Sequence, residues 1–156
     1  MKRERLGQGP VAARRWLRLG AGMALLAACT LARAALCTVS TTSVSFDAYD
    51  TFSNSPGEST GTVTVSCDAI ATYSLAINAG GSGSFSRAMS FGADQLAYNL
   101  FTDATRAVVW GDGTGATARV NQLGTGATHV VYGRIPARQN VRAGTYLDTL
   151  IVTVEF

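Results

Sequence analysis

An all-β antiparallel sandwich is the fold class predicted for residues 35–156, on three observations. No stretch after residue 34 keeps a helical period of apolar residues. About seven short strand-like runs take its place, separated by clusters of Gly, Ser, Asn and Asp at roughly regular spacing. The closing residues 146–156 alternate. Tyr146, Leu150, Val152, Val154 and Phe156 share one face with Asp148 as its one polar member, and Thr149, Thr153 and Glu155 lie on the other. Phe156 ends the chain directly on this apolar strand, so the strand is expected to be gripped, either by the rest of the chain or by another molecule.

The segment before this body reads as an export signal. A basic stretch to Arg18, an apolar run over residues 19–31 and the small-x-small site Ala32-Arg33-Ala34 are the three parts of a secretory signal peptide. The run is short of the roughly 20 residues a membrane span needs. Residues 1–34 are therefore assigned to the signal and 35–156 to one exported domain. Leu26-Ala27-Ala28-Cys29 also reads as a lipobox, which would make Cys29 a lipidated N-terminus. The Arg14-Arg15 pair fits a twin-arginine signal poorly. Seven of the 13 basic residues precede residue 34, while nine of the ten acids follow it. The body thus carries six Arg against nine carboxylates, a formal charge of −3, and no nucleic-acid partner is expected of it.

The elements follow in order. Cys37 and Val39 share one parity and Val44 and Phe46 the other. The change across residues 40–43 predicts a bulge or a strand that switches sheets, because one extra residue turns every later side chain to the opposite face. Residues 54–57 form a turn. Gly61, Val63, Val65 and Cys67 alternate with Thr62, Thr64 and Ser66, which places Cys67 on a buried face. Two cysteines in an exported body predict one disulfide, Cys37–Cys67. Tyr73, Leu75 and Ile77 form the next inward row, and residues 79–86 a flexible loop. Leu96, Tyr98 and Leu100 form another row, followed by a turn at Asp103, a strand carrying Val108 and Trp110, and a loop at 111–115. Residues 129–135 are a strand of undecided parity, 136–144 a connection, and 146–156 the last strand.

Catalytic chemistry has little to work with. One His, no Lys after residue 34 and scattered carboxylates leave few candidates for acid–base work, so no enzyme and no cofactor are predicted. Gly111-Asp112-Gly113-Thr114-Gly115 lacks the Lys and following helix of a phosphate loop. It also lacks the several oxygen ligands of a calcium loop, and no metal site is predicted. Trp110 and Tyr132 are read as core or rim residues, with exposed recognition aromatics as the rival. Arg134 and Arg138 are expected to be solvated or paired.

Several segments together resemble a known family. They are Cys37, Val44-Ser45-Phe46 with Tyr49, residues 61–67, residues 96–101, Trp110-Gly111-Asp112-Gly113, Val131-Tyr132-Gly133-Arg134-Ile135-Pro136 and Gly144-Thr145-Tyr146-Leu147-Asp148-Thr149. The pattern is similar to the spore coat protein U domain, the subunit domain of Csu-type (archaic) chaperone–usher pili. The resemblance implies an immunoglobulin-like sandwich that lacks its last edge strand. It implies an apolar groove walled by Leu150, Val152, Val154 and Phe156 on one side and by Val44 and Phe46 on the other. A periplasmic chaperone would fill the groove first, and the strand of a neighbouring pilus subunit would replace it at an outer-membrane usher. Cleavage after Ala34 would leave only Ala35 and Leu36 ahead of Cys37, so the chain is expected to accept a strand and to be poorly equipped to donate one.

Three functions follow as expectations. The first is a minor or tip subunit of an adhesive pilus, exported to the periplasm and then the cell surface, acting in attachment to a host or abiotic surface or in biofilm formation. The second is a spore- or surface-coat structural protein. The third is a carbohydrate- or surface-binding module whose site combines the 79–86 and 111–115 loops with Trp110.

Overall fold

The computed structural model describes residues 34–156. The export signal of residues 1–33 and the Cys29 lipidation reading lie outside the described residues. Seven strands carry the fold: β1 (Cys37–Thr42), β2 (Gly57–Ile77), β3 (Ala88–Phe91), β4 (Asp94–Ala97), β5 (Asn99–Phe101), β6 (Val120–Ile135) and β7 (Val152–Glu155). One 3₁₀ turn, Gly80–Ser82, is the helical element among the described residues. Every strand pairing is antiparallel, and the architecture is the all-β, immunoglobulin-like sandwich.

The two long strands organise the rest. β2 and β6 pair from Gly57↔Ile135 to Leu75↔Val120, with the register shifting between Ser66 and Ala71. Glycines make the shift possible on the β6 side. Gly124 and Gly126 have φ of 155° and 124°, and a Cβ on Gly126 would meet the Val65 carbonyl oxygen at 2.2 Å. One end of the ladder carries β1 on β2 (Cys37↔Cys67 to Thr42↔Thr62) and β5 on β6 (Asn99↔Arg134). The other end carries β7 on β2 (Ile77↔Val152). The β3–β4 hairpin turns at Gly92, with φ 63°, and reaches the chain ahead of β7 through Ser90 and Leu147.

The inward rows meet in one core. Val63, Val65, Tyr73, Leu75, Ile77, Leu96, Tyr98, Leu100, Trp110, Val131 and Ile135 form a single buried cluster. The parity of residues 129–135 is thereby settled, with Val131, Gly133 and Ile135 inward. Cys37 and Cys67 are disulfide-bonded and pack against the cluster.

Several expected elements differ. Residues 61–67 and 73–77 belong to one strand, because a register shift, not a turn, absorbs residues 68–72 between them. The 129–135 strand begins at Val120, and Gly124 and Gly126 lie at its register shift. Residues 108–110 form only isolated bridges, Phe101↔Val109 and Trp110↔Ala118. The last strand is laddered over Val152–Glu155 alone, although residues 146–154 keep the alternating burial.

Candidate functional site

A groove of about 650 Å³ opens between two chain segments remote in sequence, residues 41–49 and 144–152. Its floor is Ile77, Leu96, Tyr98, Leu100, Val131 and Ile135, core residues of four strands and of the link between β4 and β5.

The first wall exists because the β1 ladder stops at Thr42. The chain runs on extended with Val44 and Phe46 turned inward, and no ladder partner pairs residues 43–49. Two glycines let it lie close. A Cβ on Gly61 would come within 2.7 Å of the Thr42 carbonyl oxygen, and one on Gly133 within 2.7 Å of both Phe46 Cζ and Val44 Cγ1. Tyr49 anchors the far end, its hydroxyl donating to the Pro136 carbonyl and accepting from the Gln139 N–H, both at 2.8 Å.

The second wall turns Tyr146, Asp148, Leu150 and Val152 inward, leaving Leu147 and Ile151 70% and 61% exposed. One of its edges is held. Leu147 and Ser90 exchange backbone bonds of 2.9 and 3.2 Å, and Asn78 bonds Ile151 through its N–H at 3.1 Å and its side-chain oxygen at 2.9 Å. Successive residues of an extended chain direct their backbone groups to opposite edges. With Ile151 facing Asn78, Leu150 and Val152 present their N–H and C=O groups to the groove.

Of the six residues expected to wall the groove, Val44, Phe46, Leu150 and Val152 line it. Val154 and Phe156 lie beyond these lining residues. The groove stops where β7 enters the β2 ladder. Val154 pairs with Leu75 against the filled core, and Phe156, 68% exposed, lies 6.2 Å from the Tyr73 ring.

Polar groups behind the groove escape the sequence reading. Arg87 is 0% exposed. Its guanidinium donates to the carbonyls of Ile77 (3.1 Å), Asn78 (2.7 and 3.0 Å) and Trp110 (2.8 Å) and to Asn99 Oδ1 (2.9 Å). Burial pulls its pKa below the ordinary value, opposed by Tyr98 and Asp148. The Tyr98 hydroxyl donates to Asp148 Oδ2 at 2.7 Å. Asp148 Oδ1 accepts from the N–H groups of Gly81 and Thr149, each at 2.8 Å. The polar position on the apolar face of 146–156 was the one available signal for this cluster. Nothing local to Arg87 marks it as buried.

The expected carbohydrate site does not assemble around Trp110. Trp110 is 0% exposed and its indole N–H donates to the Leu75 carbonyl at 3.2 Å, so it presents no face to a ligand. In the 111–115 loop the Asp112 carboxylate turns onto Thr114, whose hydroxyl and N–H hold its pKa below the usual carboxylate range. Arg134 pairs with Glu58 at 2.8 Å, and Arg138 bonds the Asn54 side chain. Among the described residues no group of three or more His, Cys, Asp or Glu could hold a metal.

Comparison with known proteins accords with this architecture. The Spore Coat Protein U domain family matches residues 23–153. Protein U of Myxococcus xanthus is 35% identical over 109 residues, covering 62% of this chain and 59% of that protein, so the chain spans about three-fifths of the length of this curated relative. A solved chain is similar at 26% identity and a TM-score of 0.58, covering 79% of this chain and 40% of its own length. It comes from the CsuC–CsuE chaperone–tip adhesion subunit pre-assembly complex of the archaic chaperone-usher Csu pili of Acinetobacter baumannii. With the family matched over most of its length and the sandwich in place, the chain belongs to the Spore Coat Protein U domain family.

Proposed function

We propose that this chain is a structural subunit of a Csu-type chaperone–usher pilus and that the groove accepts a β-strand from a partner. The observation that carries this reading is the open groove, with an apolar floor between two extended walls, the first of which has no ladder partner over residues 43–49. Such an edge is a template for strand addition, in which backbone bonds give affinity and alternate side chains fill pockets. The partners are a periplasmic chaperone, the outer-membrane usher and a neighbouring subunit. Residues 1–34 serve as the export signal and 35–156 as the strand-accepting domain. The likeness to a chain of a chaperone–tip adhesion subunit complex supports a tip or minor position, with a role in attachment or biofilm formation. The match to the Spore Coat Protein U domain supports a second reading, a spore- or surface-coat structural protein.

Co-expression of the full chain with a candidate periplasmic chaperone tests the first reading. A soluble complex is expected, with aggregation or degradation when the chaperone is withheld. A chain that is stable, soluble and monomeric alone would refute the open-groove reading.

A further inference from the structure

The long sheet runs in the order β1-β2-β6-β5, and its two edges differ. The β5 edge is covered by residues 108–110. The Trp110 N–H donates to the Leu100 carbonyl at 2.9 Å and the Thr102 N–H to the Val108 carbonyl at 3.0 Å. At the opposite edge lies β1, and among the described residues no strand pairs with its outer side. Exposed edges are ordinarily blunted by charge, Pro or a bulge. Cys37-Thr38-Val39-Ser40-Thr41-Thr42 carries no charge and no Pro, and its register with β2 is unbroken.

The pairing with β2 fixes which backbone groups this edge offers. Leu36 and Asp68 are a bonded pair, with the Asp68 N–H on the Leu36 carbonyl at 3.1 Å and the Leu36 N–H on Asp68 Oδ1 at 2.8 Å. The next pair, Cys37 and Cys67, has its Cα atoms 4.1 Å apart, the short separation of a pair that exchanges no backbone bonds. Bonded and non-bonded pairs alternate along an antiparallel ladder. Thr38, Ser40 and Thr42 therefore direct their backbone groups to β2, while Cys37, Val39 and Thr41 direct theirs outward. Val39 adds an apolar side chain. It stands opposite the buried Val65, on the core side of the sheet, yet is 43% exposed at the open margin.

We propose that this edge pairs with β1 of a second copy of the chain, antiparallel and centred on Val39. A two-fold interface needs a self-complementary surface, and the strand is self-complementary about Val39. In that register Val39 faces Val39 and Cys37 faces Thr41. These are bonded pairs, so each outward N–H and C=O of β1 finds a partner and the two Val39 side chains cover one another. A shift of two residues puts Val39 opposite Cys37 or Thr41 and leaves one outward residue beyond the partner's β1. With no charge in β1, two like copies meet without repulsion along the strand. The strand is short, so the contact is weak alone and counts where copies are held close together. It shares only Thr41 and Thr42 with the groove and does not depend on what fills it.

In this register Thr38 of one copy lies opposite Ser40 of the other as a non-bonded pair, close enough for a disulfide. Cells exporting the full chain are made to produce Thr38→Cys and Ser40→Cys variants, separately or together. A disulfide-linked dimer on a non-reducing gel is expected only when both are produced together. Thr128→Cys, exposed on β6 away from the edge, should give no dimer with Ser40→Cys. Adding Val39→Pro to both variants removes an outward N–H and should abolish the dimer, while Cys37 and Cys67 still form their own disulfide. The proposal is overturned if either variant dimerises as well alone, if the dimer survives Val39→Pro, if the new cysteines link to a protein of another mass, or if no dimer forms. None of these outcomes bears on capture by a chaperone, which tests the groove separately.

Discussion

At the scale of single residues, stability concentrates in side chains whose partners are distant in sequence. Arg87 ties the end of β2, the Trp110 segment and Asn99 together with a charge that has no solvent contact. Replacing it with Leu would leave the Ile77, Asn78 and Trp110 carbonyls without this donor, while Asn99 Oδ1 keeps the Leu100 N–H. Arg87→Leu should destabilise by about 3–5 kcal/mol, read from the denaturant midpoint. Arg87→Lys should recover little of this, since a point charge cannot reproduce the planar fork. His129 behaves differently. Its Nε2 lies 3.1 Å from the Tyr73 hydroxyl, and burial lowers its pKa. The unfolded chain therefore takes up a proton at higher pH than the fold does. This contribution to stability is complete above about pH 6.5 and declines as the pH falls toward the lower folded value. His129→Gln should flatten that decline in denaturant midpoints measured between about pH 7.5 and 5. Neither role is readable locally, because Arg87 and His129 sit among residues that would suit an exposed strand equally well.

At the scale of elements, β2 and β6 are the frame, and the disulfide ties β1 to it. Cys37 and Cys67 lie opposite each other in the ladder and close a loop of 30 residues. Reduction should cost about 3–4 kcal/mol in the chain-entropy account, seen as a lower melting temperature with a thiol reductant present. With the disulfide reduced, β1 is held by the β2 ladder alone and should fray more readily than in the oxidised chain. The alternation at 61–67, 73–77 and 96–100 was legible because each stretch buries one face. The continuity of β2 was not. Asp68, Ala69 and Ile70 are exposed and break the pattern, and only pairing with β6 on both sides joins the halves. The change of parity before Val44 was also legible, and it falls where the β1 ladder ends.

At the scale of the whole molecule, the groove is the property that no single element owns. Its walls are about a hundred residues apart in sequence and meet only because the long ladder brings both ends of the domain over one floor. Parity along the second wall gives a controlled test. Leu150→Asp places a charge in the groove and should abolish capture of the chain by a co-expressed chaperone, or lower it at least about tenfold. Ile151→Asp, one residue on and facing outward, should leave capture unchanged in the same pull-down. Equal loss for both would mean that general destabilisation, and not the groove face, is responsible.

The sequence by itself determined what local patterning carries. It marked an all-β body of negative charge, the inward rows, the cysteine pair, Val44, Phe46, Leu150 and Val152 as apolar, inward-turned positions, and the polar exception at Asp148. These depend on alternation and composition, which each segment displays alone. Tertiary structure decided the rest. It ended the groove before Val154, left Phe156 exposed, buried Trp110 and Arg87, and turned the glycines of β6 into a bulge. Each of these outcomes depends on what lies opposite a residue in the fold, and a strand's own sequence does not carry that information.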